Sequence, residues 1–334
     1  MSKGLILITG ASGFIGSHVL DRVLKAGYNV RLTIRKEAQI HELKQLFPAH
    51  TQQMDFAVVP DITALDAFGK AMDGVDYIFH LASPMPMKGE DLQRDYVDPA
   101  VKGTDAILKA ALETPSVKRV TIMASILSIM PMGGMAMQDL VIKENSNEPN
   151  PVDLNMEFPS GLDGHGLKYQ ASKILAHQAT LQFIQQQKPH FTLTTLHPTF
   201  VLGPSLVQKS AEELSGVNMM FMRSLMFKKP LFPVAIVDVR DVADVMFATI
   251  DAKLERNGEE CIISGKETSW DDIVAFMGRK YPKASNSLEP PFERAFKANA
   301  EKAEKLLGAK WKPMEEMIGS VLDQQLAFEK ASKV

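Results

Sequence analysis

Tyr169 and Lys173 stand four residues apart in the run Tyr169-Gln170-Ala171-Ser172-Lys173. On a helix that spacing places both side chains on one face. A lysine ammonium beside a phenol favours the phenolate and lowers the tyrosine pKa, which predicts a proton donor and acceptor working near neutrality. Such a pair also recurs by chance on many helices, so its neighbours must give it meaning. An apolar run at 119–124 ends at Ser125, with Ser128 three residues on. A serine at a strand's carboxyl end can hydrogen-bond a substrate carbonyl. Far upstream, Thr9-Gly10-Ala11-Ser12-Gly13-Phe14-Ile15-Gly16 follows the first apolar run and opens a helix-like segment.

The glycines at 10, 13 and 16 read G-x-x-G-x-x-G. Glycine permits a tight turn and a close backbone approach to a pyrophosphate, which then sits at the helix N-terminus. Dinucleotide sites that prefer NAD place an acid at the end of the second strand, about 20 residues after the glycines. Here that window reads Val30-Arg31-Leu32-Thr33-Ile34-Arg35-Lys36, with no acid before Glu37. A 2′-phosphate needs positive charge and donors, and arginine offers both in a planar fork. The expectation is NADP(H), held first by Arg35, with Arg31 or Lys36 helping.

These residues need elements to carry them. Short apolar runs at 5–9, 29–34, 55–59, 76–81, 119–124 and 191–196 alternate with amphipathic stretches at 15–26, 101–113 and 169–187. That alternation predicts βαβ units and a Rossmann-type, doubly wound parallel sheet of the α/β class. Residues 1–199, with about 233–261, are expected to form the nucleotide-binding domain. Residues 200–232 and 262–334 are expected to form a smaller substrate lobe. The 334 residues carry 37 Lys plus Arg against 40 Asp plus Glu, a net charge of −3. No basic excess drives nucleic-acid or anionic-membrane binding. The single cysteine, Cys261, excludes an intrachain disulfide and reads as inert. No His/Asp/Glu set has metal-ligand spacing. With no signal peptide or membrane-length apolar run, the chain reads as soluble and cytoplasmic.

Together these motifs resemble the extended short-chain dehydrogenase/reductases, in their dihydroflavonol-4-reductase-like branch. The likeness covers nearly the whole chain. Its carriers are the glycine loop, Val59-Pro60-Asp61-Ile62, His80-Leu81-Ala82-Ser83-Pro84, Val117-Lys118-Arg119-Val120, the Tyr169–Lys173 run, His197-Pro198-Thr199 with Gly203-Pro204, and Val237-Asp238-Val239-Arg240-Asp241-Val242-Ala243. The stretches at 114–119 and 188–193 point particularly to fungal NADPH-dependent ketone and methylglyoxal reductases. The resemblance implies that Phe14 and Ile15 meet the pyrophosphate through their backbone. It places Asp61 and Ile62 at the adenine and Leu81, Ala82 and Ser83 along the cofactor. Pro198 and Val201 would flank the nicotinamide, and Ser125, Tyr169 and Lys173 would be the catalytic triad.

Three departures stand out. Met123-Ala124-Ser125 replaces the usual Thr-Ser-Ser, which removes a hydrogen-bond partner near the catalytic serine. Glu42 stands near where plant enzymes carry a lysine. Met130 stands where flavonoid reductases carry a substrate-binding asparagine, which argues against a flavonoid. Eleven of the 19 methionines fall in three segments: Met85 and Met87; Met123, Met130, Met132, Met135 and Met137; and Met219, Met220, Met222 and Met226. Methionine suits adaptable apolar surfaces, so these segments are expected to line a pocket for a bulky or variable ketone. His80 and His197 read as buried hydrogen-bonding residues, and Asp238 and Asp241 as helix-start contacts. The expected reaction is NADPH-dependent reduction of a ketone or aldehyde by a monomer or homodimer. The competing readings are a sugar-nucleotide epimerase or dehydratase and a non-catalytic cofactor sensor.

Overall fold

The computed structural model describes residues 3–332, apart from 65, 84–88, 138, 147–149 and 255. Seven parallel strands form its central sheet: β1 (Leu5–Thr9), β2 (Asn29–Ile34), β3 (Met54–Val58), β4 (Tyr77–His80), β5 (Arg119–Met123), β7 (Thr192–Pro198) and β10 (Glu259–Ile263). Their order is β10-β7-β5-β4-β1-β2-β3, parallel throughout. The order reverses between β1 and β4, where Thr9 stands opposite His80. In open parallel sheets that reversal opens a crevice beyond the strands' carboxyl ends, where ligands bind.

Successive residues of a strand face opposite sides, and both sides here are covered. Ile6 and Ile8 of β1 join one core with α1 (Phe14–Lys25), α2 (Ala38–Leu46) and α6 (Val239–Ala248). Leu7 faces the other core, built with α3 (Asp98–Leu112) and with Phe183 of α4 (Gly161–Gln187). Ile107 and Leu108 of α3 are fully buried there, each contributing on the order of 2 kcal/mol. A third core gathers β8 (Phe200–Leu202), β9 (Ile236–Asp238), α5 (Gly216–Ser224), α7 (Trp270–Lys280) and α9 (Met314–Ala331). Stacked rings of Phe221 and Trp270 lie inside it. Short β6 (Val141–Ile142) pairs with β11 (Lys297–Ala298). The helix α8 (Glu301–Leu307) instead returns Ala303 and Leu307 to the core of the large sheet.

Sequence patterning places β1 and β2 at their observed bounds and the other predicted strands within one or two residues of theirs. It starts α4 eight residues late. The segment before Tyr169 is rich in glycine and proline, which reads as a loop. Gly164 explains why a helix forms there: a Cβ would lie 1.7 Å from the Pro159 carbonyl oxygen, so only glycine lets the chain enter the helix on this path.

β10 is an edge strand, and its outer side is covered. The Glu144 carboxylate accepts the Ile262 N–H, and the Asn145 N–H donates to Glu260. Lys302 of α8 pairs with Glu259 and donates to Asn145.

Candidate active site

The glycine loop is built around two residues that tolerate no side chain. Gly10 has φ +75°, and a Cβ there would lie 2.8 Å from the Ala82 nitrogen. A Cβ on Gly16 would lie 2.0 Å from the Gly10 carbonyl oxygen. Gly13 differs. It is exposed, and its Cβ would come no closer than 3.4 Å to the Gly10 oxygen. Gly13 is also the N-cap of α1, with no side-chain cap and no acid in the first turn. The first N–H groups of α1, those of Phe14 and Ile15 included, therefore meet no capping side chain, and the helix dipole adds partial positive charge there. This cradle fits the pyrophosphate of a dinucleotide.

Arg35 and Lys36 lie exposed just beyond β2. Gln39, which patterning did not single out, links them to the glycine loop. Its side-chain oxygen accepts the Arg35 and Lys36 N–H groups, and its amide donates to Ser12 Oγ at 2.9 Å. Arg31 must be removed from the expected phosphate site. It sits early in β2, and its guanidinium is spent on Asp55 at 2.7 Å and on the carbonyls of Ala71 and Asp73. Asp61 holds Thr63 through Oδ1, and these bonds keep its carboxyl below the usual range. Ile62 packs over Gly103 of α3, whose missing Cβ would meet it at 3.1 Å.

The loop after β4 is fixed by Thr9. Its hydroxyl accepts the N–H groups of Leu81 and Ala82 at 3.1 and 3.0 Å, so its proton points to His80 Nδ1 at 3.0 Å. His80 is thus neutral with its proton on Nε2, and burial lowers its pKa to about 3. One residue further, Ser83 Oγ accepts from Lys173 Nζ at 2.8 Å. The loop after β4 and the Tyr–Lys helix are joined at this bond.

Ser125 follows β5 and caps a short 3₁₀ turn, accepting the Leu127 N–H at 3.2 Å. His197 fixes that turn from β7. The Ser128 hydroxyl donates to the Ser125 carbonyl, and His197 Nδ1 faces Ser128 Oγ at 2.9 Å and the same carbonyl at 3.2 Å. Thr195 completes the arrangement at Nε2, and burial pushes the imidazole down to about 3. Both histidines act as buried hydrogen-bonding residues, as their positions suggest. Tyr169 packs against the small core of Ile126, Leu127, Met130, Ile142, Ile262 and Phe296. Its neighbour Gln170, also unmarked in the sequence, is buried and ties the following turn to α4 through Gly133, Met130 and Pro131. The structure therefore brings Ser125, Tyr169, Lys173 and Ser83 to one end of the sheet.

The electrostatics correct one expectation. Burial pushes the Tyr169 phenol up to about 12, and burial pushes Lys173 down to about 8. The ammonium lies 5.4 Å from the centre of the Tyr169 ring and bonds to Ser83. Lost hydration outweighs the lysine's attraction for the phenolate in this geometry.

The methionine reading also changes. Met130 is wholly buried in a small core with Ile126, Leu127, Ile142, Ile262 and Phe296, because the turns after Ser125 fold back over β10. It does not line a substrate pocket. Met123 is core as well. Met137 and Met226 are exposed, Met220 and Met222 border the third core, and Met85 and Met87 lie outside the described residues. Val201 is buried in the core of the large sheet, paired with Val237 of β9, and Pro198 is buried at the end of β7. Asp238 caps α6 through the Arg240 N–H, Asp241 accepts the Lys312 N–H, and burial pushes the Cys261 thiol up to about 12. An open groove of about 390 Å³ between α7 and the start of α9 includes none of these site residues. Spacing shows no metal set, yet the fold brings His177, His197 and Glu260 within 4.8 Å of one another. Both nitrogens of His197 are already hydrogen-bonded, which leaves it no free lone pair for an ion.

Two buried neutral histidines set a stability signature. Each has a folded pKa near 3 against 6.5 in an unfolded chain. The unfolded state binds more protons between those values, so stability is full above pH 6.5 and falls as pH drops toward 3. Each site contributes a slope of up to about 1.4 kcal/mol per pH unit. Urea midpoints should fall between pH 7 and pH 4.5, and His80→Asn should flatten the slope. A pH-independent midpoint would refute this.

The sequence profile of the NAD dependent epimerase/dehydratase family matches residues 6–263. Over 336 residues the chain is 35% identical to ketoreductase sphI of Aspergillus fumigatus, covering 98% of this chain and 99% of the relative. The structure of yeast methylglyoxal/isovaleraldehyde reductase Gre2 complexed with NADPH superposes with a TM-score of 0.84 at 27% identity, covering 98% of this chain and 99% of that one. Vestitone reductase from alfalfa shares the fold, with a TM-score of 0.76 at 24% identity over 98% of this chain and 99% of that one. With its Rossmann sheet, glycine loop and Tyr–Lys helix, this chain belongs to the NAD dependent epimerase/dehydratase family.

Proposed function

We propose that this protein is an NADPH-dependent carbonyl reductase acting on a ketone or aldehyde of largely apolar character. The observation that carries the reading is the convergence of Ser125, Tyr169 and Lys173 at the end of the sheet where the glycine cradle opens. The names of the relatives, a ketoreductase and an NADPH-bound aldehyde reductase, support it. Thr9, Gly10, Gly13 and Gly16 shape the loop, and the N–H groups of Phe14 and Ile15 take the pyrophosphate. Arg35 takes the 2′-phosphate, and Asp61 and Ile62 hold the adenine. Leu81, Ala82, Ser83, Pro198 and Val201 bound the remainder. NADPH, when bound, supplies the hydride.

Ser125 orients the carbonyl oxygen by donating its hydroxyl proton in a hydrogen bond. Tyr169 gives that oxygen its proton as charge develops. Lys173 presents its ammonium to the phenolate that remains. In this reading residues 200–232 and 262–334, apart from α8, which packs on the large sheet, form the substrate lobe, and the enzyme works in the cytoplasm as a monomer or homodimer. The sugar-nucleotide reading is disfavoured by the basic end of β2, and the sensor reading by the intact Tyr–Lys pair.

The test is oxidation of NADPH and NADH against aryl ketones, β-keto esters, dicarbonyls and aldehydes. Turnover with NADPH well above NADH is expected. Arg35→Ala should weaken NADPH roughly tenfold to a hundredfold, the loss of one charged hydrogen-bonded pair, and leave NADH unchanged. Equal loss for both cofactors would remove Arg35 from the 2′-phosphate. No turnover with any carbonyl would refute the reductase reading.

A further inference from the structure

Tyr169, Lys173 and His177 repeat at intervals of four on α4, so the face bearing the Tyr–Lys pair continues one turn further to a histidine. His177 is 6% exposed, and its Nε2 lies 2.9 Å from Glu260 Oε1. Burial opposes the charge on Glu260, but hydrogen bonds from His177 and Asn145 bring its pKa below the usual value. An ionised Glu260 takes a proton-bearing Nε2. In the neutral imidazole that leaves Nδ1 as a bare acceptor. His177 Nδ1 is buried and has no hydrogen-bond partner among the described residues.

Lys173 has the opposite surplus. Its ammonium carries three N–H donors, and Ser83 takes one at 2.8 Å. Both side chains line one small cavity of about 30 Å³ together with His80, Ser83, Thr104 and Thr195. A polar cavity needs only roughly 10–15 Å³ to hold a water molecule. Unmet acceptor, spare donor and sufficient room thus coincide behind the Tyr–Lys pair.

We propose that this cavity binds water that accepts from Lys173 Nζ–H and donates to His177 Nδ1, making His177 a positioning residue for the lysine. The proposal rests on the carbonyl-reductase reading for its catalytic meaning. The bridge holds the ammonium against the cost of burial and fixes its direction, leaving one N–H for the Tyr169 side. Other titratable groups around the cavity leave this chain intact. His80 from β4 is neutral, with its Nδ1 committed to Thr9. His197 from β7 is neutral and meets His177 edge to face at 4.8 Å. Glu260 is the contribution of β10, and α3 offers Ala100 and Thr104, which do not titrate. Beyond Glu260 lie Glu144, which burial pushes up to about 7, and the Lys302–Glu259 pair.

Two measurements test it. A high-resolution crystal structure of the wild-type protein should show ordered water within hydrogen-bonding distance of both Lys173 Nζ and His177 Nδ1, and a dry cavity would overturn the proposal. The second is the pH profile of kcat for wild type, His177→Asn, His177→Gln and His177→Leu. Asparagine keeps an acceptor near the place of Nδ1, and glutamine keeps the reach to Glu260 but withdraws the acceptor from the cavity. The alkaline limb should move down by about one pH unit in the Gln and Leu variants and stay near wild type in the Asn variant. A purely structural role gives the reverse, with Gln tolerated, Asn impaired and no limb displaced. If the wild-type protein reduces no carbonyl, the reductase reading fails while the crystallographic result still decides the water site.

Discussion

Replacing Tyr169 by phenylalanine is expected to lower kcat about a thousandfold, within the range that a positioned proton donor supplies. NADPH affinity should be nearly unchanged, because the ring and its packing against the small core around Met130 are kept and only the hydroxyl is lost. The direction of its pKa sharpens this expectation. A phenol held at about 12 by burial is fully protonated across the neutral range, so it is loaded as a donor for reduction. The opposite reaction needs the phenolate and is disfavoured until Lys173 and the bound cofactor lower that cost. Steady-state rates with a fluorescence titration of NADPH separate the two effects. Turnover within tenfold of wild type would remove Tyr169 from the proton-donor role.

Gly16→Val is expected to damage both folding and cofactor binding. Its Cβ would sit 2.0 Å from the Gly10 carbonyl oxygen and 2.9 Å from Ala11 Cα, which are backbone atoms with no rotamer to yield. Overpacking of this kind costs about 1–3 kcal/mol, and the loop must move to relieve it. Losing one backbone hydrogen bond to a charged phosphate adds roughly tenfold to a hundredfold in NADPH Kd. Gly13→Ala separates the two effects. Its Cβ meets nothing closer than 3.4 Å, so thermal stability should hold, yet it projects where the pyrophosphate approaches. Weakened NADPH binding at unchanged Tm is the expected result for Gly13→Ala. Unchanged binding in both variants would mean that the loop is a turn without a ligand.

The legible parts of this molecule are those in which chemistry and local geometry coincide. The parallel sheet showed itself because strands buried on both faces read as apolar runs, as at Leu5–Thr9. Gly10 and Gly16 were visible because a tight turn admits no substitute. Tyr169 and Lys173 were visible because their spacing is a property of a single helix. What stayed hidden depends on where separate elements meet. Arg31 and Arg35 look alike in sequence, and only the fold shows that one faces Asp55 while the other stands beyond the strand. Met130 looks like a pocket residue until the turns after Ser125 close over it. Gln39 and Gln170 carry no motif, because an amide that bridges two loops leaves no periodic mark. The tyrosine pKa was misjudged because spacing reports the partner and not the lost hydration.

A parallel sheet has two unfinished sides, each a template on which a foreign strand could add. In this chain they are unequal. Along β10 the Ile262 N–H is already consumed by Glu144, and Asn145 and Lys302 bind the flanking glutamates, so the template there is occupied by the chain's own side chains. β3 ends the other side with Asp55 and Val58 exposed. Asp55 accepts the Phe56 N–H and pairs with Arg31, so one side chain guards this edge where Glu144, Asn145 and Lys302 guard the other. Aggregation by strand addition is therefore directional in this protein: it would begin at β3, and removing the Asp55 charge should hasten it more than any comparable change on the surface of the opposite flank.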